Sequence, residues 1–396
     1  MAGKNNGLIL SSIKRAGRYA LQNWHNSMGW STEKKYIIFE SDDWGSIRTA
    51  SPEAYRALIK SGDNTDKDPF TRYDALACED DLELLFDTLT KFRDHKGNYP
   101  VFTANCAVAN PDFDRIKESN FENYYYEPFT KTLERYKKHK NCFELWKDGM
   151  KTGVFFPQLH CREHLNYTRW LNDLKRGDKN LQLAFAHNMI SGASSFSGNN
   201  LFAYMDAFHY YGWKHDKLLG GIILDATALF NKIFGYKSKS FVSCCYVWNS
   251  SLERILADHN IDCIQGAYYQ LIPTDKGYGV LDKKKHRTGE KNKYGQTYLV
   301  RNCRFEPTLG NPLKSVGTCL AQIRNSFKFK KPATICTHRL NYVGYIDKSN
   351  RDRNLPLLEQ LLTQIIEKWP DVEFITSAEL GVIIRNSKES VFRQAR

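Results

Sequence analysis

The chain has 396 residues, 41% hydrophobic and 26% charged, which are the proportions of an ordinary globular protein and exclude wholesale disorder. That length suits one large α/β domain with insertions, or two of ordinary size. A formal net charge of +13 points to an anionic partner, but the Lys and Arg residues are scattered and no nucleic-acid module is visible, so no nucleic acid is expected.

Residues 1–34 read as an N-terminal extension. Leu8 to Trp24, with Lys14, Arg15 and Arg18, has weak helical amphipathicity. That suits packing on its own domain more than a peripheral membrane contact. Leu8–Leu10 is too short an apolar run for a signal peptide, and no window approaches a transmembrane span. Ten cysteines without a CxxC motif read as reduced thiols, and a cytoplasmic location is expected.

From residue 35 onward, short apolar runs alternate with helical patterns. Strands are predicted at 35–41, 99–106, 152–160, 238–244, 260–266, 331–338 and 372–377, and the segment 297–305 is a further strand candidate. The first helix is expected over 51–62, with Ser51 as N-cap, Pro52 at its first position and Gly62 as its stop. A second is expected over 79–97, with acids at its start and bases at its end. Further helices are expected over 165–177, as a pair within 199–233, and over 250–260, 315–328 and 355–370. Loops and a helix are expected in 110–150. Strand–helix alternation implies a parallel sheet. About seven such units without a Gly-rich dinucleotide fingerprint favour a barrel over an open nucleotide-binding sheet. Residues 35–396 read as a single barrel domain with insertions near 106–150 and 267–300.

Function on such a scaffold belongs at the carboxyl ends of the strands, and three strands end in polar clusters. The first ends in Ser41-Asp42-Asp43-Trp44-Gly45. The third ends in His160-Cys161-Arg162-Glu163-His164. The sixth ends in Thr337-His338-Arg339. Two histidines four apart on a helical turn present both rings to one divalent ion, and two adjacent carboxylates after an apolar strand need cationic compensation. One aspartate can ligate while its neighbour serves as base, and two imidazoles with one carboxylate leave metal positions open for water and substrate. A His at the end of a buried strand is by itself more often structural. Beside the other two clusters, His338 becomes a general acid for the leaving group.

Together these motifs resemble those of the polysaccharide deacetylase family, the NodB-homology carbohydrate esterases. The match covers the doublet Asp42-Asp43, the HxxxH pair His160 and His164, the apolar strand ending Ile335-Cys336-Thr337-His338, and the closing segment Phe374-Ile375-Thr376-Ser377-Ala378-Glu379-Leu380. The resemblance implies a distorted (β/α)7 barrel with Asp42 as catalytic base, Asp43, His160 and His164 as metal ligands, and His338 as acid. Where the family carries an Arg-Pro motif, 241–246 reads Phe-Val-Ser-Cys-Cys-Tyr, so Arg304 is the candidate replacement for the arginine that orients the base. The family's Asp and Trp pair has no clear counterpart. Trp44 and Tyr246 are candidates for a sugar platform.

The function so implied is metal-dependent removal of an acetyl group from a sugar or glycan precursor. The ion expected is Zn²⁺, with Co²⁺, Mn²⁺ and Ni²⁺ also suited to the donors. The alternatives are another metal-dependent hydrolase on the same barrel, a glycosidase or an amidase, and a non-catalytic binder of an anionic glycan or membrane.

Overall fold

The computed structural model describes residues 27–61, 67–190, 202–210 and 213–387. The helix expected over Leu8 to Trp24 and the stop at Gly62 lie outside them. The strands are β1 (Lys35–Trp44), β2 (Phe102–Ala107), β3 (Ala109–Pro111), β4 (Tyr126–Pro128), β5 (Phe155–Cys161), β6 (Ser240–Val242), β7 (Cys263–Gly266), β8 (Tyr269–Pro273), β9 (Leu281–Lys285), β10 (Thr297–Val300), β11 (Cys303–Arg304), β12 (Ala333–His338) and β13 (Val372–Phe374). The main sheet runs β10-β7-β6-β5-β2-β1-β12-β11, with β13 also paired to β1, and every pairing in it is parallel. β3–β4 and β8–β9 are separate antiparallel hairpins, one in each of the two stretches expected to be insertions.

This path curls into a distorted barrel. β10 and β11 stand at opposite edges of the strand order, yet only Arg301 and Asn302 separate them in the chain. Two linking residues reach about 11 Å at most, so the two edges must lie side by side. The backbone bonds show how they are tied. Arg301 N–H donates to Gly266 O at the end of β7, and Asn302 N–H donates to Thr334 O on β12. The interior confirms the curvature: Asn105 on β2 donates to Gln265 on β7 at 2.9 Å, although three strand steps, about 14 Å along the sheet, separate them.

Several expectations are corrected. Among the described residues the main sheet has nine strands, where seven and a further candidate were read, because 297–305 splits at Arg301-Asn302 into β10 and β11, which pair with different partners. The second helix ends at Thr90, leaving Lys91 and Arg93 outside it, with no base in its last turn. Residues 113–152 hold three helices, Phe113–Glu118, Phe129–Glu134 and Cys142–Thr152. In place of the pair within 199–233 there is one helix, Trp213–Phe234, among the described residues. The helix expected from 355 begins at Lys348, where Asp347 caps it by accepting from Ser349 N–H. The first helix, Pro52–Lys60, has the expected Ser51 cap and leading proline. No helix among the described residues is long and apolar enough to cross a membrane.

Hydrophobic residues pack between the sheet and its helices. Phe39 stacks on Phe102, and Trp44 meets Trp146 and Phe155 edge-on. The barrel interior is polar instead. Gln265 Nε2 donates to Ser240 Oγ, and Gln158 Oε1 accepts from the Lys239 and Ser240 backbone, so these buried amides are satisfied.

Lys331 anchors the segment preceding β1: its Nζ donates to the carbonyls of Gly29 and Trp30 at 2.7 and 2.9 Å. Burial lowers its pKa to about 8, below the 10.5 of an exposed lysine. A group depressed in this way in the folded state adds stability as pH rises through its folded pKa, because only the folded chain then sheds the proton. The Tm of the wild type minus that of Lys331→Met should therefore increase between pH 7 and 9.5. A difference independent of pH would contradict this assignment.

Candidate metal and catalytic site

The carboxyl end of β1 is bent to present its aspartates. The register of β1 with β2 shifts between Ser41 and Trp44, a bulge that re-aims the strand, and Asp43 takes a φ of 74°. A non-glycine residue in that region costs about 1–3 kcal/mol and persists where its surroundings demand it. Gly45 completes the turn with a φ of 77°, where a Cβ would lie 2.3 Å from Ala107 O.

Asp43 and the two histidines converge. Asp43 Oδ1 lies 3.5 Å from His160 Nε2 and 3.2 Å from His164 Nε2, and all three residues are buried. His160 Nδ1 bonds Val242 O at 2.8 Å, which turns Nε2 toward Asp43. His164 Nδ1 is buried without a hydrogen-bond partner. The His160–His164 segment is not the helical turn expected from the spacing: it leaves β5 as an extended bend, and the rings meet at 71° with centroids 4.7 Å apart.

The donor set fits a divalent cation. Bonds of about 2.0–2.2 Å from one tetrahedral ion place its nitrogen and oxygen donors about 3.3–3.6 Å apart, close to the observed separations. Burial alone would push both imidazoles toward the neutral form, yet the Asp43 carboxylate beside them counters this, and His164 stands at about 9 and His160 well above its usual range. Burial likewise raises Asp43, and the two histidines outweigh it, holding the carboxyl well below its usual range. Cys244 Sγ, 3.9 Å from His160 Nε2, makes a further donor set with the two histidines, but burial pushes its thiol up to about 12 and keeps it protonated.

Asp42, on the same strand end, is held by three donors. Arg301 reaches Oδ2 through Nη1 at 2.5 Å and Oδ1 through Nη2 at 2.7 Å, and Asn105 donates to Oδ1 at 2.8 Å. Burial raises its pKa, and the Arg301 guanidinium more than reverses that, keeping the carboxylate ionised. Arg301 Nε also donates to Glu40 at 2.6 Å, and Ser377 Oγ donates to the other Glu40 oxygen at 2.7 Å. Arg301 therefore has the orienting position anticipated for Arg304. Arg304 is exposed and is not among the donors to Asp42. The error was three residues in a segment read as one strand.

Parallel pairing sets His338 opposite Asp42. Its Nε2 lies 3.9 Å from Asp42 Oδ2, while Nδ1 bonds Glu306 Oε1, and Asn341 Nδ2 holds the other Glu306 oxygen at 2.6 Å. Burial would lower the imidazole pKa, and Glu306 instead raises it well above its usual value. Trp44 is not a sugar platform: it is 1% exposed, with its indole N–H donated to Ser41 Oγ. Tyr246 does reach the site. It follows a left-handed turn at Cys245, accepts from Arg301 at 2.9 Å, and lines a cleft of about 320 Å³ together with Asp42, Asp43, His160, His164 and His338.

Glu40, Asn105, Gln265, Arg301 and Glu306 went unread in the sequence. Polar residues two apart within strands, Glu40 and Asp42, Thr103 and Asn105, Gln158 and His160, were the available signal for a polar face. Glu306 carried none, since it sits in a loop and meets His338 only in space.

No protein-family model matches the chain. No curated relative matches it. Among solved structures, a protein assigned as a polysaccharide deacetylase from Mycobacterium smegmatis is similar at 10% identity and TM-score 0.45, over 93% of this chain and 96% of that one. A CE4-family pseudoenzyme from Bacillus anthracis is similar at 9% identity and TM-score 0.35, over 88% and 66%. A GH57 branching enzyme from Thermococcus kodakaraensis is similar at 11% identity and TM-score 0.43, over 90% and 72%. Identities and scores this low leave function to the geometry of the site.

Arg301 and Arg304 are separable by stability. Arg301→Met strands two buried carboxylates and should destabilise the fold by about 3–5 kcal/mol in urea titrations. Arg304→Met should fall within about 0.5 kcal/mol of wild type. Equal effects would contradict the assignment of the base-orienting arginine.

Proposed function

We propose that this chain is a metal-dependent hydrolase that removes an acetyl group from an acetylated sugar or glycan precursor. The observation that carries this reading is the convergence of Asp43, His160 and His164 at tetrahedral donor spacing, beside a separately anchored Asp42 and a Glu306-paired His338. Asp43, His160 and His164 would hold the ion, with Zn²⁺ expected and Co²⁺, Mn²⁺ and Ni²⁺ equally suited to two imidazoles and a carboxylate. When bound, the ion polarises the acyl carbonyl and makes water a competent nucleophile at neutral pH.

The protein groups divide the proton transfers. Asp42, kept ionised by Arg301, accepts the proton of the attacking water. His338, kept protonated by Glu306, has Nε2 turned toward Asp42 and donates to the departing amine or alcohol. Arg301 and Asn105 are positioning residues: they fix the carboxylate whose oxygen does the work. A fully pinned base and an acid on the adjacent strand pair suit acyl transfer, in which the proton taken from water and the proton given to the leaving group are different.

Elemental analysis of purified wild type should find about one transition metal per chain, and His160→Ala/His164→Ala should contain none. Asp42→Asn should keep the metal and lose about 10²–10⁴-fold in acetate release from acetylated sugars. No metal in wild type after incubation with Zn²⁺, Co²⁺ and Mn²⁺ would remove the hydrolase reading and leave a non-catalytic glycan-binding scaffold.

The acid has its own test. In Glu306→Gln the His338 pKa falls, so the protonated fraction is lost at lower pH. The alkaline limb of the kcat/KM profile should move to lower pH while metal content is unchanged. An unmoved limb would show that His338 is not the titrating acid.

A further inference from the structure

A second and larger cavity, about 530 Å³, opens beside the catalytic cleft, and the two share Tyr246 and His338 as a common wall. Its charge is one-sided. Arg287, Arg301, Arg304 and Lys331 line it, and no Asp or Glu does among the described residues. Arg301 is neutralised by Glu40 and Asp42, but the other three cations face the space without a carboxylate. Arg287 Nε is buried without a hydrogen-bond partner. Arg304, misread as the base-orienting residue, extends along the cavity with no ion pair among the described residues. Lys331 is 6% exposed and spends two of its three ammonium protons on the carbonyls of Gly29 and Trp30, leaving one donor.

Lys331 is buried, Arg287 is half-buried and Arg304 is exposed, and cations gathered around one cavity without a carboxylate repel one another, a cost that an anionic ligand would relieve. The cavity far exceeds one inorganic anion in volume and suits a sugar-sized ligand. Tyr246 and Tyr268 provide ring surface on its walls. His338, the proposed acid, lines both this cavity and the catalytic cleft, so a group that it protonates has the cavity within reach.

We propose that this cavity binds the leaving-group side of the substrate, and that this part is a sugar bearing an anionic group, a phosphate, sulfate or carboxylate, received by Arg287 and Arg304 with Lys331. This deepens the hydrolase reading and rests on it for the word substrate. The anion site itself stands without a metal. The arginines supply planar, bidentate donors to an oxyanion, and Lys331 supplies a point charge from the cavity wall.

The test is calorimetric titration of the full chain with N-acetylglucosamine, N-acetylglucosamine 6-phosphate and inorganic phosphate at one fixed ionic strength. The phosphorylated sugar should bind at least about tenfold more tightly than either the neutral sugar or free phosphate. In Arg287→Gln/Arg304→Gln that preference should collapse to within about twofold. In Asp43→Asn, which removes the proposed metal ligand, the preference should persist, so the anion site can stand even if the hydrolase reading falls. Equal affinity for the two sugars, or binding of neither, would overturn the proposal. So would free phosphate binding as tightly as the sugar phosphate, or a preference that survives in the double variant.

Discussion

One guanidinium holds two parts of this molecule together. Arg301 lies between Glu40 and Asp42, both buried, and so joins a charge network to the place where the barrel seam is tied. Its backbone N–H bonds the end of β7 while the next residue bonds β12, so the side chain that orients the proposed base is carried by the segment linking the two sheet edges. A buried cation flanked by two carboxylates is stable only while all three are present, since removing one partner leaves an uncompensated charge. Geometry at Asp42 and closure of the barrel therefore depend on the same residue. Ser377 extends this dependence to the last helix, because its hydroxyl fixes the far oxygen of Glu40.

Division of labour at the strand ends follows from neighbours more than from residue type. Asp42 and Asp43 are adjacent in sequence, yet one meets an arginine and an amide while the other meets two imidazoles. The bulge in β1 and the left-handed backbone of Asp43 turn the two carboxylates in different directions. His338 and His160 differ in the same way: a carboxylate on Nδ1 raises the proton affinity of the first, and a backbone carbonyl on Nδ1 turns Nε2 of the second toward Asp43.

The residues that converge around the cleft were legible because each ends a buried strand, where a charged or imidazole side chain conflicts with its surroundings unless it has work to do. The structure brings Asp42, Asp43, His160, His164 and His338 together around one cleft. What failed was pairing that exists only in three dimensions. Arg301 and Arg304 are both basic residues in one short apolar segment, and only the break between β10 and β11 sends one inward and the other out. Glu306 meets His338 across 32 positions, from a loop with no periodicity to read. Trp44 was a candidate for a sugar platform, but it is buried and packs edge-on against Trp146 and Phe155. The polar barrel interior was masked for a related reason: the apolar residues that alternate with it face the helices and dominate the pattern.

Everything proposed for the chemistry depends on which three side chains hold the ion, and Cys244 stands close enough to compete with Asp43. X-ray absorption at the metal edge of the protein loaded with Zn²⁺ resolves the choice, because sulfur scatters strongly at about 2.3 Å while imidazole and carboxylate donors lie at about 2.0–2.2 Å. The account predicts a first shell of nitrogen and oxygen only, with imidazole outer-shell scattering from two histidines, unchanged in Cys244→Ser. A sulfur contribution at about 2.3 Å that disappears in Cys244→Ser would contradict it.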